Sequence, residues 1–214
     1  MIYLLSPLVK EGTFSLPMIK FSLVVDKIDF STCDTLMFSS KQAVVSADTI
    51  DKKWKEFPCI AIGGATKKKI EELGGKVIYH PKEFYGEVLA KDIENFFSDK
   101  KLLYLRPKDV SFDSKAYLEK VGIELEEQII YETSCIKYTI DKKLKENATI
   151  IFTSPSTIKC FFNNFEWDNS YTAILIGHAT KEHLPKMCKY VIADEPLIDS
   201  CIKKAIEVEK KRAI

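Results

Sequence analysis

The 214-residue sequence contains no run of 18 apolar residues, so no membrane-spanning helix is predicted. Its opening, MIYLLSPLVKEG, lacks the charged segment, apolar stretch and small-residue cleavage site of a secretory signal, and the expectation is a cytoplasmic protein. There is little net charge. Lys plus Arg number 32 against 31 Asp plus Glu, giving +1, so no global field draws in nucleic acid or an anionic membrane, and neither is expected as a partner. The stretch GGATKKK is neither GxGxxG nor GxxxxGK, which argues against a dinucleotide fingerprint or a phosphate loop. The three histidines, His80, His178 and His183, have no metal-ligand spacing with a nearby carboxylate, and no metal is expected. No Ser-His-Asp order stands out. The six cysteines form no CxxC pair and several sit in apolar runs such as PCIAIG and TIKCFF. They read as small hydrophobes kept reduced.

What is present is alternation. Short apolar runs at 2–5, 35–40, 59–63, 76–80, 101–105, 148–154, 172–177 and 190–193 have the near-continuous hydrophobicity of strands covered on both faces. Helical patterns lie between them: ATKKKIEELG, GEVLAKDIENFFSD, SFDSKAYLEKVG, STIKCFFNNF and PLIDSCIKKAIEVEKKR. The alternation predicts α/β architecture with parallel sheets and right-handed crossovers. The chain also repeats itself. IGGATK at 62–67 returns as IGHATK at 176–181, and the same offset of 114 aligns Phe38-Ser39-Ser40 with Phe152-Thr153-Ser154 and Val77-Ile78 with Val191-Ile192. A period of that length is a domain rather than a solenoid unit, so two copies of one α/β domain are predicted.

In both copies a strand ends at Gly63 or Gly177 and a helix begins near Thr66 or Thr180. These threonines are expected to cap their helices, while the glycines let the backbone leave the strand without a Cβ clash. FSSKQAV and FTSPSTI make the same kind of turn, with Ser40 or Ser154 in the capping region and Pro155 near the first helical position. Helix N-termini beyond the carboxyl ends of parallel strands offer N–H and hydroxyl donors with little fixed charge, a surface suited to carboxylates or phosphates. Capping alone accounts for such residues equally well. The run Lys67-Lys68-Lys69 reads as a solvated helix face.

Two strongly β-type stretches flank the first copy, one within 17–25 and one within 123–140. If residues 2–5 join the sheet of the second copy, the chain passes between domains twice. The expected organisation is a discontinuous domain at 1–18 plus 138–214, an inserted domain at 26–128, and linker strands at 19–25 and 129–137, with a ligand cleft between the domains. Tyr131, in IIYET, lies in a linker. With a reference pKa of about 10 it is either a neutral proton donor facing the ligand or a packed aromatic with its hydroxyl satisfied.

Taken in order, LMFSSKQAV, AIGGATKKKIEELG, LLYLRPKD, IIYET, IIFTSPSTIKCF and LIGHATKEHL resemble the motifs of the uroporphyrinogen-III synthase family over most of the chain. The resemblance implies two small α/β domains on a two-stranded linker, no cofactor, a monomer, and the substrate hydroxymethylbilane, a linear tetrapyrrole with eight carboxylates. It implies a cyclising dehydration that inverts ring D through a spiro intermediate. Tyr131 matches the family's candidate proton donor. Carboxylate binding falls to Ser39, Ser40, Gln42, Gly64, Ala65, Thr66, Ser154, Ser156, His178, Ala179 and Thr180. A non-catalytic two-domain module closing on a small polyanion remains the alternative. The sequence departs from the family at Lys41 and Gln42 in the first turn and at Pro107, where a Gly is usual. VKEGTFSLP leaves little room for the helix that normally follows the first strand, so that helix is expected to be absent or a single turn.

Overall fold

A computed structural model describes residues 1–83, 85–139 and 144–212. The portions of the expected domains and of the β-type stretch that fall at 84, 140–143 and 213–214 lie outside the described residues. In chain order the elements begin β1 (Ile2–Leu4), β2 (Phe14–Ser15), β3 (Ile19–Leu23), β4 (Thr35–Phe38), α1 (Lys41–Ile50), β5 (Pro58–Ala61), α2 (Gly64–Glu72) and β6 (Lys76–Tyr79). There follow α3 (Gly86–Phe96), β7 (Leu102–Pro107), α4 (Ser114–Lys120), β8 (Leu125–Cys135), β9 (Thr149–Phe152) and α5 (Pro155–Phe162). The chain ends with β10 (Thr172–Leu175), α6 (His178–Lys181), β11 (Tyr190–Ile192) and α7 (Ile198–Arg212).

The chain divides into two compact units, Met1–Lys20 with Ser134–Ile214, and Phe21–Thr133. The discontinuous unit carries a sheet of order β11-β10-β9-β1-β2. Its pairings are all parallel, with β1 beside β9. The continuous unit is built around the order β3-β8-β7-β4-β5-β6, in which the pairs β8-β7, β7-β4, β4-β5 and β5-β6 are parallel. The segments expected as linkers, 19–25 and 129–137, overlap β3 and the later part of β8. Both strands run across the boundary between the units.

The apolar runs are continuous because both faces of each sheet are covered. Leu36 and Phe38 of β4 join Leu103, Leu105 and the α1 residues Ala43, Val44 and Ala47 in one core. The intervening Met37 joins Ile60, Tyr104 and the α3 residues Leu89 and Ile93 in the other. The discontinuous unit repeats the pattern, with Ile150 and Phe152 packed with α5 and Ile151 packed with α7. Full burial of each large apolar side chain contributes about 1.5–3 kcal/mol, and Leu36 and Phe38 are both wholly buried.

The repeat is kept in three dimensions without a gap. β4, β5, α2 and β6 begin at 35, 58, 64 and 76, while β9, β10, α6 and β11 begin at 149, 172, 178 and 190, an offset of 114 each time. In sheet order β1 then takes the place of β7 and β2 that of β8. No helix joins β1 to β2, whereas α4 joins β7 to β8, so the short VKEGTFSLP segment does remove a helix. At the amino ends of β9 and β10, Arg212 of α7 donates to the carbonyls of Asn147 and Ser170 and to the Thr172 hydroxyl, which closes that end of the sheet.

One expectation is overturned. Cys135 and Cys160 are joined in a disulfide, with Cα atoms 5.2 Å apart, while Cys33, Cys59, Cys188 and Cys201 are free thiols. The reason is tertiary: the end of β8 runs beside α5, and Ile136 donates its amide to Met18 while Asn164 after α5 donates to the Ile136 carbonyl. A separation of 25 residues carries no local signal of that approach.

Candidate active site

The parallel strands of each unit end in the turns that the sequence repeat marks. In the continuous unit β4 runs out at Phe38 into Ser39 and Ser40. Ser40 is extended (φ −159°) and caps α1, its Oγ accepting the Ala43 amide at 3.0 Å. The same oxygen lies 3.0 Å from the Tyr131 hydroxyl, contributed by β8. Tyr131 is 4% exposed and packs in the core with Phe38, Leu105 and Ala43. The ring of Phe21 meets it edge-on at 5.8 Å. Burial raises the phenol above its ordinary pKa of 10.0, and the hydrogen bond with Ser40 works against that rise.

A second tyrosine converges on the same turn from the opposite face of the sheet. Tyr104 of β7 is 3% exposed and donates to Ser39 Oγ at 2.5 Å. Two residues on, Arg106 is held between strands. Its Nε lies 3.1 Å from Glu127 Oε2 of β8, an ion pair without hydrogen-bond alignment, and its guanidinium also donates to the Pro107 and Lys108 carbonyls. Gln42, on the first turn of α1, donates to Ser46 at 3.2 Å.

The Gly-Thr turns correct a second expectation. The N-caps of α2 and α6 are Gly63 and Gly177, neither with a side-chain cap bond. Thr66 and Thr180 instead sit three residues beyond the caps, inside the first turn, and are 4% and 3% exposed. The glycines are not needed for backbone reasons: φ is 175° and 177°, extended values open to any residue. Nothing lies within 4 Å of a Cβ built on Gly177 or on the helix residue Gly64. That space is open. Among the described residues no acceptor takes the amides of Gly64 and Ala65, while those of Thr66 and Lys67 turn back to the Gly63 carbonyl. In α6, a single turn, His178 and Ala179 occupy the matching positions, and both are exposed.

The Ser-Pro turn of the discontinuous unit forms as its sequence suggests. Ser154 caps α5 in a capping box with Thr157, and Pro155 opens the helix. The Thr157 hydroxyl takes the amides of Thr153 and Ser154, and Ser156 is half-buried one residue past the proline. The turn after β10 reaches back to the end of β9 through Ile176 N to Phe152 O at 3.1 Å. The other unit makes the same bond from Ile62 to Phe38 at 2.9 Å.

The sequence profile of the family described as uroporphyrinogen-III synthase HemD matches residues 12–203. The chain belongs to the HemD family. A curated relative, the porphyrin biosynthesis protein HemD of Ruminiclostridium josui, is 31% identical over 156 residues, which make up 69% of this chain. The chain spans about a third of that relative's length, the match covering 31% of it. Among solved structures, uroporphyrinogen-III synthetase from Helicobacter pylori superposes with a TM-score of 0.78 at 26% identity over 97% of this chain and 98% of that one. A mutant uroporphyrinogen III synthase from the extremely thermophilic bacterium Thermus thermophilus shares the fold, with a TM-score of 0.58 at 10% identity, covering 99% and 98%.

Within this HemD-family chain each unit gathers its own marked residues at the carboxyl ends of its strands. Of the paired contacts, Ser40 with Tyr131 joins two residues singled out from sequence. Ser39 with Tyr104 adds one that was missed. Tyr104 sits in the apolar run LLYLRP, where a tyrosine reads as core, and only the register of β7 against β4 reveals that its hydroxyl reaches Ser39. Among the described residues no three His, Cys, Asp or Glu side chains are grouped so as to hold a metal ion, and no helix is long and apolar enough to cross a membrane.

Proposed function

We propose that this HemD-family chain is a uroporphyrinogen-III synthase that closes hydroxymethylbilane to uroporphyrinogen III. The observation that carries this reading is the 3.0 Å contact between Ser40 Oγ and the buried Tyr131 hydroxyl at the end of a parallel strand. Ser40 already accepts the Ala43 amide, so its own proton can go to Tyr131 Oη. The phenol proton is then free for the substrate. Tyr131 delivers it to the hydroxyl on ring A, the C–O bond breaks, water departs and an azafulvene remains. The phenolate left behind accepts the Ser40 hydroxyl hydrogen bond. The substituted carbon of ring D attacks the azafulvene, the spiro intermediate fragments and recloses with ring D inverted, and the proton lost as the last pyrrole regains aromaticity returns to the Tyr131 phenolate.

The bilane closes by itself to the type I isomer, so the protein's larger task is to hold ring D on the spiro path. We assign carboxylate binding to the turns of each unit. These are Ser39, Ser40 and Gln42, the open amides at Gly64 and Ala65 beside Thr66, then Ser154 and Ser156, and the turn at His178, Ala179 and Thr180. Helix termini favour anions by about 0.3–1 kcal/mol each, which suits a substrate with many carboxylates and a protein with little net charge. The reading is of a monomer working in the cytoplasm without cofactor, nucleic acid or membrane. Tyr131→Phe tests the chemistry: turnover of hydroxymethylbilane is expected to slow at least ten-fold with little change in KM. Unchanged turnover returns Tyr131 to a packing role.

A further inference from the structure

The Ser39–Tyr104 pair differs from Ser40–Tyr131 in which hydroxyl is left over. Tyr104 lies in the apolar layer of Met37, Ile60 and Leu125, on the face of the sheet away from Leu103 and Leu105. A phenol buried there must place its hydroxyl on a partner, and Tyr104 places it on Ser39 Oγ at 2.5 Å, as donor. Burial, with Ser39 acting against it, raises this phenol to about 12, so it remains a donor throughout the neutral range. Ser39 therefore receives one hydrogen bond and still owns a proton. Among the described residues no acceptor takes that proton, and Ser39 is only half-buried. The nearby charges do not claim it either, because Arg106 and Glu127 are paired with each other.

We infer that Tyr104 is a positioning residue that fixes the Ser39 hydroxyl as a hydrogen-bond donor to a carboxylate of the substrate, an inference that rests on the proposed activity. A free serine hydroxyl rotates among three staggered positions. One lone pair locked by Tyr104 restricts it and aims its proton away from the sheet. A carboxylate has only acceptors, and a hydrogen bond to it is charge-assisted and stronger than one to a neutral group. Two adjacent serines thus divide the work: Ser40 serves the tyrosine that moves a proton, and Ser39 is served by a tyrosine that does not.

The test is a KM-against-kcat split. Tyr104→Phe, which deletes one oxygen and keeps the ring in its layer, is expected to raise KM for hydroxymethylbilane about ten-fold while kcat and the melting temperature stay close to wild type. Ser39→Ala is expected to do the same, Ser39→Thr to restore KM, and the double variant Tyr104→Phe/Ser39→Ala to be no worse than either single one. A KM within two-fold of wild type in either single variant overturns the inference, as does a double variant whose KM rises by the product of the two. Should Tyr104→Phe not fold, Tyr104→Met, which also removes the hydroxyl and keeps an apolar side chain in the layer, is read by the same KM criterion. If the wild-type chain makes no type III isomer, the proposed activity fails separately, and the variants are read by binding of uroporphyrin III, an octacarboxylate. Affinity ten-fold weaker in both upholds the role of Tyr104; unchanged affinity overturns it.

Discussion

In the proposed reaction Tyr131 and Ser40 act through a single 3.0 Å contact, and that role has a consequence in pH. Burial holds the Tyr131 phenol above 10.0 and Ser40 draws it part of the way back. The acid form is therefore fully present at neutral pH, and kcat is expected to stay level up to about pH 10 and to fall above it. Replacing Ser40 by Ala removes the group that favours the phenolate, so the alkaline limb is expected at still higher pH with a lower plateau. A pH–rate profile of kcat for wild type and Ser40→Ala checks both. A limb that does not move means that Ser40 only caps α1. Tyr131 stood out in the sequence as a tyrosine in an extended linker segment, IIYET. Its partner was legible as a capping serine, but the hydrogen bond between them joins residues 91 positions apart and is written in no local pattern. The threonines show the opposite error. Their place near the strand end was read correctly, while their capping role was not, because the helix starts earlier than the threonine suggests.

At the scale of elements, α1, the 3-10 turn Lys52–Glu56 after it and α2 depend on Trp54, which is wholly buried against Phe38 and accepts no crowding. Gly74 ends α2 with φ of +92°, and Gly75 follows it directly beneath the indole. A Cβ on Gly75 would lie 2.3 Å from Trp54 Cζ3 and 2.9 Å from Ile70 Cγ2. Gly75→Ala is therefore expected to destabilise the protein by about 1–3 kcal/mol, measured by denaturant unfolding. The helical pattern ATKKKIEELG ends at Gly74, and nothing local in the sequence marks Gly75 as the glycine crowded by a ring. The indole also donates to Asp48 at 3.2 Å, and Lys55 lies 2.7 Å from the same carboxylate. Burial works to raise the pKa of Asp48, yet the bonds from Lys55 and Trp54 prevail and hold it below 3.8. A carboxylate depressed on folding contributes stability above its unfolded value, and that contribution is lost as pH falls through the folded one. Asp48→Asn, which keeps an acceptor for Trp54, is expected to cost about 1 kcal/mol at pH 7. The difference from wild type should shrink steadily once pH drops below 3.8. A deficit that persists unchanged at low pH would assign the effect to packing rather than charge.

At the scale of the whole molecule the repeat explains why so much of the fold could be read. Apolar runs covered on both faces are strong strand signals, and an offset kept at 114 through four successive elements let each copy support the reading of the other. What escaped was tertiary in origin. β2 is a two-residue edge strand made possible by the missing helix, and the Cys135–Cys160 bond depends on how β8 meets α5. The same duplication places open amides and hydroxyls in each unit, yet the two tyrosines are not repeated. Met37 faces Tyr104 across the sheet, whereas its counterpart Ile151 faces Leu4, and the short β2 that stands where β8 would be carries only Phe14 and Ser15. In the proposed reaction the binding turns are doubled and the proton donor is not. The most direct measurement is the conversion of hydroxymethylbilane by the purified chain, with the oxidised products separated by isomer. Uroporphyrinogen III in excess of type I, formed faster than spontaneous closure, is the predicted result. Type I alone at the spontaneous rate would contradict it.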